Sequence, residues 1–193
     1  MDHAVLLRGR HVTLEPLLPE HAKELAAAIG PDDDVFRWTN TAPRTEEEML
    51  AWIAARREDR PTGRSLAFAQ RDAATGRLVG STSLFDLNEK ERSAEIGHTW
   101  LAAQARRSGV NTEAKLLLLT HAFEALKLAR VQLVTDARNE RSQRAIERLG
   151  ATREGVLRNW RRNLEGGLRT SVVYSVIDGE WPGVKAALQK RLR

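Results

Sequence analysis

The run Arg106-Arg107-Ser108-Gly109-Val110-Asn111 places two guanidiniums, a hydroxyl and a glycine directly before the most leucine-rich stretch of the chain, Thr112 to Leu128. The first N–H groups of a helix have no partner within it, and they converge with the positive end of the helix dipole on one point. Arginines add charge-assisted contacts to an anion held there. A glycine allows a close backbone approach or a positive φ angle. That chemistry suits a diphosphate. A solvated basic turn would be written with the same residues, so the elements around the loop must decide between the two.

Trp100-Leu101-Ala102-Ala103-Gln104 leads into the loop from an alternating segment, Ala94 to Leu101, that reads as a strand. Two more strands precede it, Leu66 to Gln70 and Leu78 to Leu87, joined through Ala74-Thr75-Gly76-Arg77, so an antiparallel meander is expected. Behind the loop, residues 112–128 read as a helix buried on most sides, with Glu113, Thr120, Glu124 and Lys127 on a narrow polar stripe. A strand is expected at Val131 to Thr135, a short helix over Ser142 to Leu149 ended by Gly150, and a late strand at Val172 to Ile177. Upstream lie a strand at Val12 to Leu17 and a helix after Pro19 that runs to the Gly30-Pro31 stop. A second helix is announced by Thr45 and Glu48, a capping box ahead of Met49, Trp52 and Ile53. The order predicts a mixed α/β (α+β) fold: a largely antiparallel sheet with helices on both faces, in one domain over residues 1–193.

In this context the loop resembles the phosphate loop of the GCN5-related N-acetyltransferases (GNAT), whose pattern is Arg/Gln-x-x-Gly-x-Gly/Ala. Arg106-x-x-Gly109-x-Asn111 fits with Asn in the last place. Glu95-Ile96-Gly97 sits where that family's fourth strand enters its site, and Asn139-Glu140-Arg141-Ser142 with Gly150-Ala151 resembles its later Asn-x-x-Ser, helix and Gly-Phe segment. The branch most similar is that of the ribosomal-protein N-terminal (RimJ/RimL-like) acetyltransferases, with Arg153-Glu154-Gly155 and a late Tyr174. The resemblance implies a twisted sheet splayed at its fourth and fifth strands, with acyl-CoA entering between Ala94–Leu101 and Val131–Thr135. It further implies that Trp100, Leu101 and Ala102 bind the pantetheine, together with Asn139 and Ser142. Arg106, Arg107, Ser108, Gly109, Val110, Asn111 and Thr112 would hold the pyrophosphate.

The implied activity is transfer of an acetyl or other acyl group from acyl-CoA to a primary amine of a peptide N-terminus or small molecule. The alternative is a non-catalytic module on the same fold that senses acyl-CoA or touches RNA. Glu95 stands at the general-base position of part of the family, or else pairs with an arginine. His98 is the second candidate base, and shares the face of Glu95 only if the strand bulges. Ile146 replaces a tyrosine that many relatives carry, which leaves Ser142 as the candidate general acid or, equally, a helix N-cap. Trp38, Trp52 and Phe85 form an apolar acceptor floor or belong to the core. Acidic runs at Asp32-Asp33-Asp34 and Glu46-Glu47-Glu48 suggest an acidic acceptor wall.

Composition narrows the rest. There is no cysteine, so thiolate metal sites, disulfides and a Cys nucleophile are excluded, and no metal is expected. Residues 1–96 hold 13 Lys/Arg against 17 Asp/Glu, whereas residues 97–193 hold 18 against 9. The basic half faces an anion or is merely solvated. Aromatics at 5% argue against base stacking and hence against nucleic acid. The absence of a long apolar run or signal-like start points to a cytoplasmic protein without a membrane partner, and a homodimer is compatible with the sequence.

Overall fold

The computed structural model describes residues 5–30, 34–57 and 64–193. Eight strands form one sheet: β1 (Leu7–Arg8), β2 (Val12–Pro16), β3 (Ser65–Asp72), β4 (Leu78–Asn88), β5 (Ser93–Leu101), β6 (Arg130–Asp136), β7 (Thr152–Arg162) and β8 (Leu168–Ile177). Their order is β1-β2-β3-β4-β5-β6-β8-β7, and every neighbouring pair is antiparallel except β5 with β6. The antiparallel meander and the mixed fold class are as the sequence led us to expect.

Two helices, α1 (Ala22–Ala28) and α2 (Glu46–Arg57), cover one face with Leu25, Met49, Trp52 and Ile53 against Ala67, Ala69, Leu78 and Trp100. The other face is packed by α3 (Val110–Thr120), which continues as a π-helical turn over His121–Ala125, with α4 (Glu140–Leu149) and α5 (Trp181–Arg191) beside it. Alternation along each strand feeds both layers. Ala94 and Ile96 of β5 enter the α3 layer, whereas Trp100 enters the α1–α2 layer.

Local signals explain several boundaries. The Glu48 N–H donates to Thr45 Oγ1 (3.1 Å) and the Thr45 N–H donates to Glu48 Oε2 (3.2 Å), the reciprocal capping box expected at α2. Gly150 ends α4 at φ +94, a left-handed conformation that glycine adopts without strain. The sequence reading missed three elements, the two-residue β1, β7 and α5. β7 is exposed along most of its length and carries arginines where a buried strand would show alternation.

Glu113 departs from the expected polar stripe. It is buried, and its carboxylate accepts the backbone N–H groups of Arg10, His11 and Val12. The turn between β1 and β2 has N–H donors that no strand pairs, and a buried carboxylate satisfies them. Among the described residues, no helix is long and apolar enough to cross a membrane.

Candidate active site

The parallel pairing of β5 with β6 covers only Ser93–Arg130, Ala94–Val131 and Glu95–Gln132. Beyond Glu95 the two strands diverge, and a cavity of about 920 Å³ opens between them. The register of β4 on β5 jumps at the same level: Ser83 faces Gly97 and Ser81 faces Trp100, so His98 and Thr99 together stand opposite Thr82. This is a β-bulge, and His98 takes φ +48 within it.

The bulge reassigns faces. Thr99 turns toward α3, where its Oγ1 lies 2.8 Å from Thr82 Oγ1. The His98 ring stacks on Phe85 at 4.3 Å between centroids, and Phe85 is the cross-strand partner of Glu95. His98 and Glu95 therefore share the α1–α2 side of the sheet, the condition that alternation alone would forbid. Gly97 lies between them because a Cβ there would come within 2.8 Å of the Phe85 ring.

Glu95 is buried. It accepts a hydrogen bond from Gln132 Nε2 (2.9 Å) and pairs with Arg161 Nη2 (3.3 Å). Desolvation raises its pKa above the ordinary carboxylate value, and Arg161 and the Gln132 hydrogen bond offset only part of that rise. The imidazole of His98 is pushed down to about 4 by desolvation, then by Arg56 and Arg161, so it is neutral at pH 7. Of the two candidates, Glu95 is the one whose proton affinity the site raises, whereas that of His98 is lowered.

Sequence reasoning passed over Lys115. It is buried on α3, lines the cavity, and donates to Thr82 Oγ1 (3.0 Å) and Thr99 Oγ1 (2.7 Å), so that it grips both sides of the bulge. Burial pulls its pKa down to about 7. A lysine among leucines was the available signal, at Lys115 beside Leu116 to Leu119.

At the other end of the cavity lies the basic loop. Ala103–Ala105 form one 3₁₀ turn, Arg107 takes φ +63, and Gly109 caps α3. Gly109 has φ −67, so its glycine is not needed for a positive φ. A Cβ there would meet the His11 ring at 2.7 Å, and this is the close approach that the glycine serves. Ser108 Oγ accepts from the Val110 N–H (3.3 Å) while donating to the Ala105 carbonyl (2.7 Å). Arg106, Arg107 and Ser108 of the loop, with Asn111 and Thr112 in the next turn, line the cavity beside Trp100 and Leu101, whereas Gly109 and the buried Ala102 and Val110 do not. Arg106 is braced by Asp34 (3.2 Å) and by the Leu101 carbonyl (3.3 Å). Along the strand leading in, the Ala102 N–H donates to the Val79 carbonyl (2.8 Å) and the Trp100 carbonyl accepts from Gln70 (3.3 Å), so these two groups are engaged within the protein.

Asn139 and Ser142 both line the cavity. Asn139 is the N-cap of α4, its Oδ1 accepting the Ser142 N–H (3.1 Å). The N-cap reading of Ser142 thus passes to Asn139, and Ser142 stands at the third helical position. Ile146 is buried in the cavity wall. Tyr174 does not stand in for the tyrosine that Ile146 replaces, because it is buried in the core and its hydroxyl donates to Glu147 (3.0 Å).

Trp38, Trp52 and Phe85 line the cavity, and Trp52 and Phe85 are also buried, Trp52 within the α1–α2 core. Among the described residues the acidic wall is not there. Glu46, Glu47 and Glu48 are exposed at the start of α2, and Asp34 is paired with Arg106 and Arg141; Asp32 and Asp33 lie outside the described residues. In their place are Arg56, Arg161 and Arg169, and Glu95 is the one carboxylate among the described cavity residues. No cluster of metal-ligating side chains occurs among the described residues.

This geometry has relatives. The family model described as "Acetyltransferase (GNAT) domain" matches residues 11–152. Over 110 residues the chain is 38% identical to the Bacillus subtilis protein described as "Putative ribosomal N-acetyltransferase YdaF", a match covering 57% of this chain and 59% of that one. The chain thus spans little more than half the length of that curated relative. A crystal structure of a GCN5-related N-acetyltransferase from Brucella melitensis superposes with a TM-score of 0.91 at 31% identity, over 98% of this chain and 86% of that one. Mycobacterium smegmatis RimJ, solved in complex with CoA-disulfide, shares the fold at 22% identity and a TM-score of 0.83, covering 97% of this chain and 93% of that one. With its divergent β5–β6 pair, its bulge and its basic loop at the head of α3, the chain belongs to the GNAT acetyltransferase family.

Proposed function

We propose that this chain is an acyl-CoA-dependent N-acetyltransferase acting on a primary amine, the two substrates meeting in one ternary complex. The observation that carries the reading is the end of β5–β6 pairing at Glu95–Gln132, which opens a slot between the bulge and the head of α3. The residues along the slot fit a CoA ester: backbone N–H groups and arginines for its diphosphate at Arg106 to Thr112, and Asn139 and Ser142 flanking its arm. A neighbour of the same fold, Mycobacterium smegmatis RimJ, was solved in complex with CoA-disulfide. Bound in the slot, acetyl-CoA supplies an acyl group already activated as a thioester.

The chain's own residues then have three tasks. The bulge frees backbone from the β4 ladder at His98 and Thr99, and an N–H there polarises the acyl carbonyl. Glu95 takes the proton that the acceptor amine gives up, a role suited to a carboxylate whose burial raises its pKa. Ser142 stands where a hydroxyl returns a proton to the leaving sulfur. Trp38, Trp52 and Phe85 exclude water around the amine.

A second reading has one observation in its favour. Ile146 puts hydrocarbon in the cavity wall where many family members carry a proton-donating tyrosine, as expected of a module that binds acyl-CoA without turnover. Thiol release decides. Catalysis predicts free thiol from acetyl-CoA only when an acceptor amine is added, and none across a broad amine panel would overturn it.

A further inference from the structure

The acceptor end of the cavity has an unbalanced charge that the fold does not require. Arg161 on β7 and Arg169 on β8 occupy directly opposed positions in the sheet. Like charges so placed repel and weaken strand pairing. Both side chains reach the cavity, where Arg56 from the last turn of α2 joins them. Their internal partners are few. Arg161 pairs with Glu95 (3.3 Å), Arg169 donates to the Trp38 carbonyl (3.0 Å), and Arg56 lies over the Trp52 ring at 4.5 Å. The Nε of Arg56 and the Nε of Arg169 are buried without a hydrogen-bond acceptor. Glu95 is the one carboxylate among the described cavity-lining residues, the buried Asp136 offsets part of the Arg169 charge, and two of the three guanidiniums hold N–H donors that are already desolvated. The same guanidiniums line the cavity with few acceptors of their own, and an anion entering it would supply charge-assisted partners.

We propose that Arg56, Arg161 and Arg169 form a carboxylate-binding subsite, so that the acceptor is an amine bearing a nearby carboxylate. The inference rests on the acyltransferase reading for the identity of the amine, though not for the anion site itself. It also accounts for the chemistry at Glu95. A ring of guanidiniums lowers the pKa of an incoming ammonium and so favours the free amine that must attack. The same field opposes polyamines and lysine-rich acceptors. The carboxylate has two chemical sources, the α-carboxylate of a free amino acid or the side chain of an acidic residue at a peptide N-terminus.

The test uses matched pairs with acetyl-CoA and the full chain, read as kcat/KM from thiol release. Free aspartate and glutamate are set against their α-amides, and C-terminally amidated peptides beginning with Asp or Glu against those beginning with Asn or Gln. Carboxylate members are expected to exceed their amide partners at least ~10-fold, the loss of one charge-assisted hydrogen bond. Whichever pair shows the gap identifies the source. Arg56→Met and Arg169→Met should lower kcat/KM for that acceptor ~10-fold or more, and for its amide partner much less, with acetyl-CoA affinity intact. Equal rates within every pair, or preference for spermidine, would overturn the subsite.

A binding arm is independent of turnover. The N-acetylated forms of the same compounds are titrated calorimetrically into the protein with CoA present. If no amine releases thiol yet the N-acetylated carboxylates bind and Arg56→Met weakens them, the subsite stands and the catalytic reading falls. If the carboxylates bind no better than their amides, the subsite falls.

Discussion

Lys115 Nζ lies 2.7 Å from Thr99 Oγ1, and the same ammonium reaches Thr82 across the bulge, so a buried cation on α3 pins the bulge at His98 and Thr99. Its pKa of about 7 makes the arrangement sensitive to pH. The sign follows from linkage. Below pH 7 the lysine is protonated in both folded and unfolded chains, and burial of the charge is fully costly. Between pH 7 and about 10.4 the unfolded chain still binds the proton while the folded one releases it, so stability rises with pH over that window. Lys115→Met is expected to remove the rise, seen as a flat urea midpoint across the window where the parent protein climbs. An unchanged slope in the variant would mean that Lys115 is not the titrating group.

Glu95 carries a prediction for the rate. Because desolvation raises its pKa above 4.5, the acid limb of kcat/KM is expected above the ordinary carboxylate range. Glu95→Gln should lower the rate by ~10²–10⁴, the usual range for loss of a general base, and abolish that limb. His98→Ala should keep the limb, since a ring with a pKa of about 4 is neutral throughout. A limb that survives Glu95→Gln assigns the proton elsewhere.

The basic loop can be tested without disturbing the fold. Gly109→Val is a poor choice, because any Cβ there strikes the His11 ring. Arg107 is better placed, being exposed at φ +63. Arg107→Gly relieves a left-handed conformation that costs an L-residue about 1–2 kcal/mol while deleting the charge. CoA affinity measured by calorimetry should fall ~10-fold with no loss of melting temperature. Retained affinity would remove Arg107 from the diphosphate site.

Asn139 has a structural task beside its proposed contact with the donor. Asn139→Ala should cost about 1 kcal/mol as a lost N-cap, roughly 2–4 °C in melting temperature for a chain of this size. Asn139→Asp restores the cap while changing the charge presented to the cavity. If CoA binding recovers with the cap, the residue acts by holding α4; if it stays weak, the side chain touches the donor.

Much of this was legible in the residues, and the failures have physical causes. The capping box at Thr45 and Glu48 and the meander through β3, β4 and β5 were readable because local chemistry specifies them. The loop before α3 was readable because arginines, a glycine and a leucine-rich helix occur in a fixed order. Glu113 was misread, because a carboxylate spaced like a surface residue is recruited by a turn about 100 positions away in the chain. β7 was missed because its exposed face erases the alternation that marks a strand. The acidic acceptor wall failed for a related reason. Asp34 is spent on Arg106 and Arg141, while the arginines that face the cavity come from α2, β7 and β8, segments that only the folded sheet brings together.

The short pairing of β5 with β6 also divides the molecule mechanically. Glu95, His98 and Arg56 belong to the half built on β1 to β5, whereas Arg161 and Arg169 ride on β7 and β8, and the halves are joined by three residue pairs, the Arg161–Glu95 ion pair and the core shared under α3. A donor lying in the slot acts as a removable splint between them. If the donor sets the spacing of the cavity walls that the two halves contribute, binding is expected to be ordered, donor before acceptor. Initial-velocity and product-inhibition patterns report that order directly, and random addition would mean that the halves hold their spacing unaided.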